Sequence, residues 1–254
     1  MNEILFYAVI FISNVIQGIT GFAGTVIAMP FSIRLMGLDT ASAVLNVLGL
    51  LAGLYVLLGN HRHVKWKELK RILVFMGPSL LFGIAFKRIL SFDPRILYVT
   101  LGVIVTLFGL YSLFRLLYDE KRGEKARDAK SPSEEGPLSA LNVITLIASG
   151  IVHGMYVCGG PLLVSYLTRR VPEQKQFRAT VSVVWIVLNG MILISQLFQG
   201  VWTGEIFRIQ LIAVPVLALA MFVGSLIFKR MNRRFFLILS YVLLIIAGAS
   251  LFFK

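Results

Sequence analysis

The chain has 254 residues, of which 57% are hydrophobic and 15% are charged. A soluble domain carries about 25% charged residues, so this composition excludes a soluble enzyme fold and indicates an all-α polytopic membrane protein. The formal net charge of +13 comes from basic residues that lie between apolar runs. That pattern is typical of a membrane protein with a basic cytoplasmic face, and it argues against a nucleic-acid-binding protein. With Cys158 as its one cysteine, the chain has no intrachain disulfide.

The first apolar run, 4–35, is longer than the roughly 17–25 residues that a helix needs to cross a bilayer. It contains Gly18, Gly21 and Gly24, and glycine permits backbone geometries that interrupt a helix. The run is therefore predicted to form two half-helices joined by a break at membrane depth. Three ordinary spans follow, at 41–58, 72–90 and 96–117.

A charged segment, 119–137, separates these spans from a second long run, 138–168. The segment contains serine, proline and glycine, which predicts a solvated linker. The second run is interrupted by Gly150, Gly154, Gly159, Gly160 and Pro161, so it is also predicted to be a broken helix. Three ordinary spans again follow, at 179–198, 209–228 and 235–253.

The order of these elements predicts an internal repeat. Each half has four apolar segments, and the first segment of each is broken by glycines. We therefore expect eight apolar segments in a first transmembrane repeat, 1–118, a cytoplasmic linker, 119–137, and a second transmembrane repeat, 138–254.

The distribution of Lys and Arg orients the chain. If each broken segment enters and leaves on one side, one face carries 19 basic residues and the other carries 6. If all eight segments cross once, the loops split 12 against 12. The positive-inside rule favours the first arrangement, with the stretches 59–71, 115–137, 169–178 and 229–234 in the cytoplasm. Three crossings in each half then make the repeats inverted, as in many secondary transporters. Two short full crossings in each broken segment would give the same sidedness.

The two breaks are the predicted substrate site. Irregular backbone is tolerated in a bilayer only where it is buried in protein or lines a cavity, and the N–H groups that start a half-helix attract anions. Close helix packing is the alternative explanation for one glycine string, but two strings at matching places favour a site. The candidate residues at the breaks are Gln17, Thr20, Gly21, Phe22, Gly24, Thr25, His153, Tyr156, Cys158, Gly159 and Gly160.

Three further residues are candidates for contact with an anion. Asn46 and Asn189 lie in the second span of each half, where an amide either contacts the substrate or joins two helices. Arg178, at the cytoplasmic end of a span, either attracts the anion or anchors the helix. His153 is the one histidine within a span, so it either binds the anion, shuttles a proton or forms an interhelical hydrogen bond. Cys158 is most simply a small apolar filler.

The positions of the acids favour an anionic substrate. All twelve Asp and Glu residues lie at the ends of spans or in loops, whereas membrane proton relays and cation sites usually contain buried carboxylates. A cytoplasm that is negative by 100 mV favours outward movement of a monoanion by about 2.3 kcal/mol. Export therefore needs no coupled ion.

The motifs resemble those of a known family. The string from Gln17 to Phe22, continuing to Pro30, resembles the first-repeat motif of the sulfite exporter TauE/SafE family, and the string from Gly154 to Pro161 resembles the second. The resemblance covers the whole chain and implies transport of sulfite, a sulfonate or a similar small organic anion. Ala23 and Val157 stand where this family frequently has glycine.

The sequence thus predicts an exporter of small anions that spans the plasma (inner) membrane several times. One alternative, a membrane-embedded enzyme, would need a nucleophile–base pair or metal ligands at one depth. The other, a non-transporting membrane subunit, would not need paired breaks. The expected partners are a small anionic substrate and the lipid bilayer, with no nucleic acid, cofactor or metal, and a homo-oligomer is left open.

Overall fold

The computed structural model describes residues 2–89, 94–121, 138–171 and 173–250. These residues form ten α-helices and one short 3-10 helix, His61–His63, and they include no strand. The helices are α1 (Asn2–Thr20), α2 (Ala23–Met36), α3 (Leu38–Asn60), α4 (Trp66–Ile89), α5 (Pro94–Lys121), α6 (Ala140–Tyr156), α7 (Gly160–Arg170), α8 (Gln174–Phe198), α9 (Gly204–Arg230) and α10 (Arg233–Ser250).

At least five helices are long and apolar enough to cross a bilayer. Within the described part of the chain these are α1, α3, α4, α8 and α9. Their outward faces carry large apolar side chains such as Phe207, Leu211 and Phe222 on α9, which in a membrane contact lipid and not water. The molecule is therefore an all-helical, multi-pass membrane protein.

Each long apolar run contains two helices. In the first run, α1 ends at Thr20 and α2 begins at Ala23; in the second, α6 ends at Tyr156 and α7 begins at Gly160. Pro161 follows directly in the first turn of α7, where the missing N–H of proline costs no helical hydrogen bond. These two interruptions are called the first break and the second break below.

Helix α5 overlaps the start of the predicted linker. Helix α5 continues to Lys121, so the first residues of the predicted linker 119–137 extend the preceding helix. Residues 122–137 lie outside the described part of the chain.

The helices pack in pairs that join the two halves. Helix α1 packs against α9, α4 against α6, α3 against α8, and α5 against α10. Small residues allow the closest approaches: a Cβ added to Gly18 would lie 3.1 Å from the Cα of Gly224, and one added to Gly154 would collide with the Leu80 carbonyl. This is the packing mode that replaces hydrophobic burial between membrane helices.

One buried acid ties α4 to α7. Glu68, in the first turn of α4, is 4% exposed. It accepts hydrogen bonds from the Tyr166 hydroxyl and the Arg71 guanidinium, both at 2.5 Å. The ion pair with Arg71 and the hydrogen bond from Tyr166 offset the desolvation cost of burying the Glu68 carboxylate at a helix end.

Candidate functional site at the helix breaks

The first break turns the chain at Gly21, whose φ of +83° is a conformation that favours glycine. The Gly21 N–H donates to the Gln17 carbonyl at 2.7 Å and closes the last turn of α1. The Gly21 carbonyl accepts a hydrogen bond from the Trp185 indole of α8 at 3.0 Å. A neighbouring helix therefore satisfies the irregular backbone, as the membrane interior requires.

Side chains of α1 cap the start of α2. Thr20 Oγ1 accepts hydrogen bonds from the N–H groups of Phe22 at 3.4 Å and Ala23 at 3.1 Å. Gln17 Oε1 accepts one from the Gly24 N–H at 2.7 Å. The N–H groups of Phe22, Ala23 and Gly24, at the start of α2, were predicted to attract an anion. All three are hydrogen-bonded within the protein.

The second break turns at Val157, with φ +58° and ψ +25°. Beside it, His153 Nδ1 accepts a hydrogen bond from the Gly159 N–H at 3.3 Å, and His153 Nε2 lies 2.9 Å from Asn189 Oδ1. Because Nδ1 is an acceptor, the ring is neutral and its proton lies on Nε2, which donates to Asn189. Both ring nitrogens are used, which favours the hydrogen-bonding role of His153 over proton shuttling in this conformation.

Gln17 and His153 have equivalent positions at the two breaks. Each lies in the last turn of the first half-helix and accepts a hydrogen bond from a glycine N–H, that of Gly24 in the first turn of α2 or that of Gly159 directly before α7. A Cβ added to Gly24 would lie 2.6 Å from the Cβ of Gln17, and one added to Gly159 would lie 2.6 Å from the Cβ of His153. These two glycines therefore let the half-helices pack, and larger residues there would force the breaks apart.

A central cavity of about 10 Å³ lies between the breaks. This volume holds about one water molecule, so the cavity in this structure is too small for an oxyanion. Its walls come from both breaks and from the helices α3 and α8. The lining residues are Gln17, Phe22, Thr25, Val26, Gly49, His153, Val157, Gly160, Trp185 and Asn189.

Asn189 connects three parts of this wall. Its Oδ1 accepts from His153, and its backbone carbonyl accepts from Asn46 Nδ2 at 3.0 Å. Its amide nitrogen faces α3, where a Cβ added to Gly49 would lie 2.6 Å away from it. The same Cβ would lie 3.5 Å from Thr25 Oγ1. The missing side chain of Gly49 thus leaves room for two neutral donors, the Asn189 amide and the Thr25 hydroxyl.

Arg178 lies deeper than a solvated entrance. It is 4% exposed, its Nη2 donates to the Gly18 carbonyl at 2.6 Å, and its guanidinium carbon lies 3.8 Å from the centroid of the Phe228 ring. Its Nε has no hydrogen-bond partner among the described residues. The aliphatic part of Arg178 packs on the first break, since a Cβ added to Gly21 would lie 3.4 Å from its Cγ. Arg178 therefore places a buried positive charge beside the first break.

A larger cavity of about 190 Å³ lies on the other side of the second break. We call it the vestibule. Its polar walls come from the first turn of α3 and the last turns of α8, and they include Asp39, Ser42, Ser195 and Gln196. Val157 also lines the vestibule, so this residue borders both cavities.

The structure brings many of the predicted site residues together. Those that line the central cavity are Gln17, Phe22, Thr25, His153, Gly160 and Asn189. Those that shape the breaks without lining it are Thr20, Gly21, Gly24 and Gly159. Asn46 supports Asn189 from behind, while Tyr156, Cys158 and Arg178 are buried nearby and are not part of the cavity wall.

Four residues of the wall were not among the candidates: Val26, Gly49, Val157 and Trp185. Trp185 precedes Asn189 by four residues, and Gly49 follows Asn46 by three, so each shares a helix face with a predicted residue. Helical spacing from Asn46 and Asn189 could therefore have identified Gly49 and Trp185 as residues of the wall. Val157 could have been identified because it replaces a frequent glycine in the second motif.

Among the described residues, no group of three His, Cys, Asp or Glu side chains is placed to hold a metal ion. The central cavity instead offers neutral hydrogen-bond donors, which suit an oxyanion.

Comparisons with known proteins match most of the chain. The family model described as "Sulfite exporter TauE/SafE" matches residues 6–251. A probable inner membrane transporter protein TsaS of Comamonas testosteroni is 27% identical over 194 residues, which cover 76% of this chain and 74% of that protein. A probable sulfite/organosulfonate exporter TauE of Cupriavidus necator is 21% identical over 211 residues, which cover 82% and 77%. No solved structure matches the chain.

Proposed function

Because the chain belongs to the sulfite exporter TauE/SafE family of membrane transporters, we propose that it exports sulfite, a sulfonate or a similar small organic anion through the central cavity. The observation that carries this proposal is the composition of the cavity wall, where both breaks and two helices contribute neutral donors. The Cupriavidus necator relative, described as a sulfite/organosulfonate exporter, supports the choice of a sulfur oxyanion.

The donors of the wall define how the anion is held. Asn189 N–H and Thr25 O–H face the space left by Gly49, and the amino ends of α2 and α7 meet nearby, since a Cβ on Gly160 would lie 3.5 Å from Val26. Helix amino ends carry partial positive charge. Arg178 adds a full positive charge behind the first break. When the cavity widens to admit the anion, the fixed dipoles and donors of the wall thus replace the water around it.

We propose that the two halves, 1–118 and 138–254, are inverted repeats joined by the linker 119–137. Exchanging α1–α5 for α6–α10 turns the α1–α9 pair into the α6–α4 pair, and it turns the α2–α10 pair into the α7–α5 pair. The pairs α3–α8 and α5–α10 map onto themselves. This exchange supports a twofold relation whose axis passes between the breaks, with the broken segments counted as one apolar segment each.

Cysteine labelling tests the orientation that the basic residues predict. In a Cys158→Ser background, we expect Gln199→Cys to react with an impermeant thiol reagent in intact cells. We expect Arg62→Cys to react only after the membrane is permeabilised. Both positions are exposed, so access and not burial decides the result. Labelling of Arg62→Cys in sealed cells, with Gln199→Cys protected, would reverse the orientation.

Flux in proteoliposomes tests the proposed function. We expect labelled sulfite and methanesulfonate to leave vesicles that contain the purified protein, and to leave faster as the interior is made more negative. A monoanion gains about 2.3 kcal/mol per 100 mV, so each 60 mV changes its equilibrium ratio about tenfold. Empty vesicles and vesicles with an unrelated membrane protein are the controls. Flux of a cation in preference to each anion, or no flux above the controls, would contradict the proposal.

A further inference from the structure

Val157 has an unusual backbone conformation for its side chain. Its φ of +58° and ψ of +25° lie in the left-handed region, which β-branched residues avoid because their Cβ substituents crowd the backbone. It is the one non-glycine residue with positive φ in the described part of the chain. The corresponding turn in the first break is made by Gly21, with φ +83°. A glycine would therefore make the second turn with less strain, so the retained side chain requires a separate explanation.

The position of Val157 supplies that explanation. It is 5% exposed, and of the described residues it alone lines both the central cavity and the vestibule. Val157 therefore lies between the two spaces. Gly21, the corresponding residue of the first break, has no side chain and leaves no such obstacle.

The vestibule continues the polar path beyond this point. Ser195 and Gln196 line it, and so does the carboxylate Asp39. The Ser195 hydroxyl and the Gln196 amide N–H groups are the donors that replace water around an anion that has passed the second break. The path thus has donors on both sides and an apolar side chain between them.

We infer that Val157 is the steric partition between the central cavity and the vestibule, and that it limits the size of the anion that passes. The inference rests on the proposed function for the identity of the substrate, but the partition itself does not depend on it. Val157→Ala shortens the partition and keeps a Cβ in the left-handed region. Val157→Gly removes the partition and relieves the backbone strain. Because Val157→Gly removes more of the side chain than Val157→Ala does, the partition predicts a larger effect in the glycine variant.

A cysteine in the central cavity reports on the partition without transport. In a Cys158→Ser background, Thr25→Cys places a thiol of similar size on the cavity wall, and Ser195→Cys places one in the vestibule. We expect an impermeant reagent, added on the vestibule side, to label Thr25→Cys at least tenfold faster when Val157 is replaced by Ala or Gly. Labelling of Ser195→Cys should not change.

Val164→Ala is the matched control, because Val164 is 1% exposed and is not part of either cavity wall. It removes the same atoms as Val157→Ala from a buried site on α7. If Val164→Ala accelerates labelling as much as Val157→Ala does, general loosening explains the effect and the partition is refuted. Unchanged labelling in both Val157 variants, in protein that melts at the wild-type temperature, also refutes it.

Flux of two sulfonates then tests the size limit. We expect the ratio of benzenesulfonate flux to methanesulfonate flux to rise at least fivefold in Val157→Ala, and further in Val157→Gly. An unchanged ratio would overturn the size limit. Faster labelling without flux of any anion would instead support the partition and contradict the proposed function, so the two failures are distinguishable.

Discussion

Asn189→Asp should reduce anion flux by about a thousandfold while leaving the protein folded. The change is isosteric, and the new carboxylate still accepts the hydrogen bond that His153 Nε2 donates at 2.9 Å. It replaces the amide donors beside Gly49 with a negative charge. Two like charges about 4 Å apart repel by about 4 kcal/mol at an effective dielectric constant of about 20, which corresponds to about three powers of ten in rate. The measurement is methanesulfonate efflux from proteoliposomes.

Asn14→Asp is the matched control for this variant. Asn14 is also a buried asparagine, on α1, and its amide donates to the Ile10 carbonyl at 2.8 Å, but it is not part of the central cavity wall. It should lose much less flux per folded molecule. Acid should partly restore flux in Asn189→Asp, because protonation of the new carboxylate removes the repulsion while methanesulfonate keeps its charge. Wild-type flux in Asn189→Asp at neutral pH would remove the Asn189 amide from the binding site.

Arg178→Met should lower anion flux by about thirtyfold. Methionine keeps the length and apolar packing of the side chain against Gly21, but it removes the positive charge beside the first break. A unit charge contributes on the order of 2 kcal/mol to the energy of an anion about 8 Å away at an effective dielectric constant of about 20. That energy corresponds to about thirtyfold in binding. Methanesulfonate flux per folded molecule is the measurement.

Arg178→Lys separates charge from geometry. Lysine keeps the positive charge, but it lacks the planar guanidinium that donates to Gly18 and stacks on Phe228. We expect it to retain most of the flux. Both Arg178→Lys and Arg178→Met should melt below the wild-type temperature, because each loses the guanidinium contacts. If Arg178→Lys and Arg178→Met lose flux equally, Arg178 acts by joining α8 to α1 and α9. Its charge would then have no part in binding.

The sequence predicted where the chain becomes irregular, but not what the irregular segments do with their own side chains. Glycine strings located both breaks because the backbone rules for glycine are local. The caps from Gln17, Thr20 and His153 depend on how the half-helices fold back on each other. No local rule specifies that geometry, so these side chains were predicted to face an anion when the structure uses them first to satisfy backbone N–H groups.

The depth of Arg178 was beyond sequence reasoning for a similar reason. Its position directly before the apolar run 179–198 predicted an entrance, whereas contacts with Gly18 of α1 and Phe228 of α9 decide its burial. Those partners come from distant parts of the chain. The resemblance to the sulfite exporter TauE/SafE family could be recognised in the sequence because its motifs are short and local, and the family match confirmed it.

Trp185 was missed, although its spacing of four residues from Asn189 places both on one face of α8.

The Trp185 indole makes the two breaks depend on each other. Its Nε1 holds the Gly21 carbonyl of the first break at 3.0 Å, and its ring centroid lies 5.1 Å from that of His153 in the second. Widening either break must therefore move a side chain that the other break also contacts. The breaks form one cooperative unit, and their energies cannot be divided between them. Substitutions of Gln17 and His153 should then combine non-additively in a double-mutant cycle, although the two residues belong to different halves of the chain.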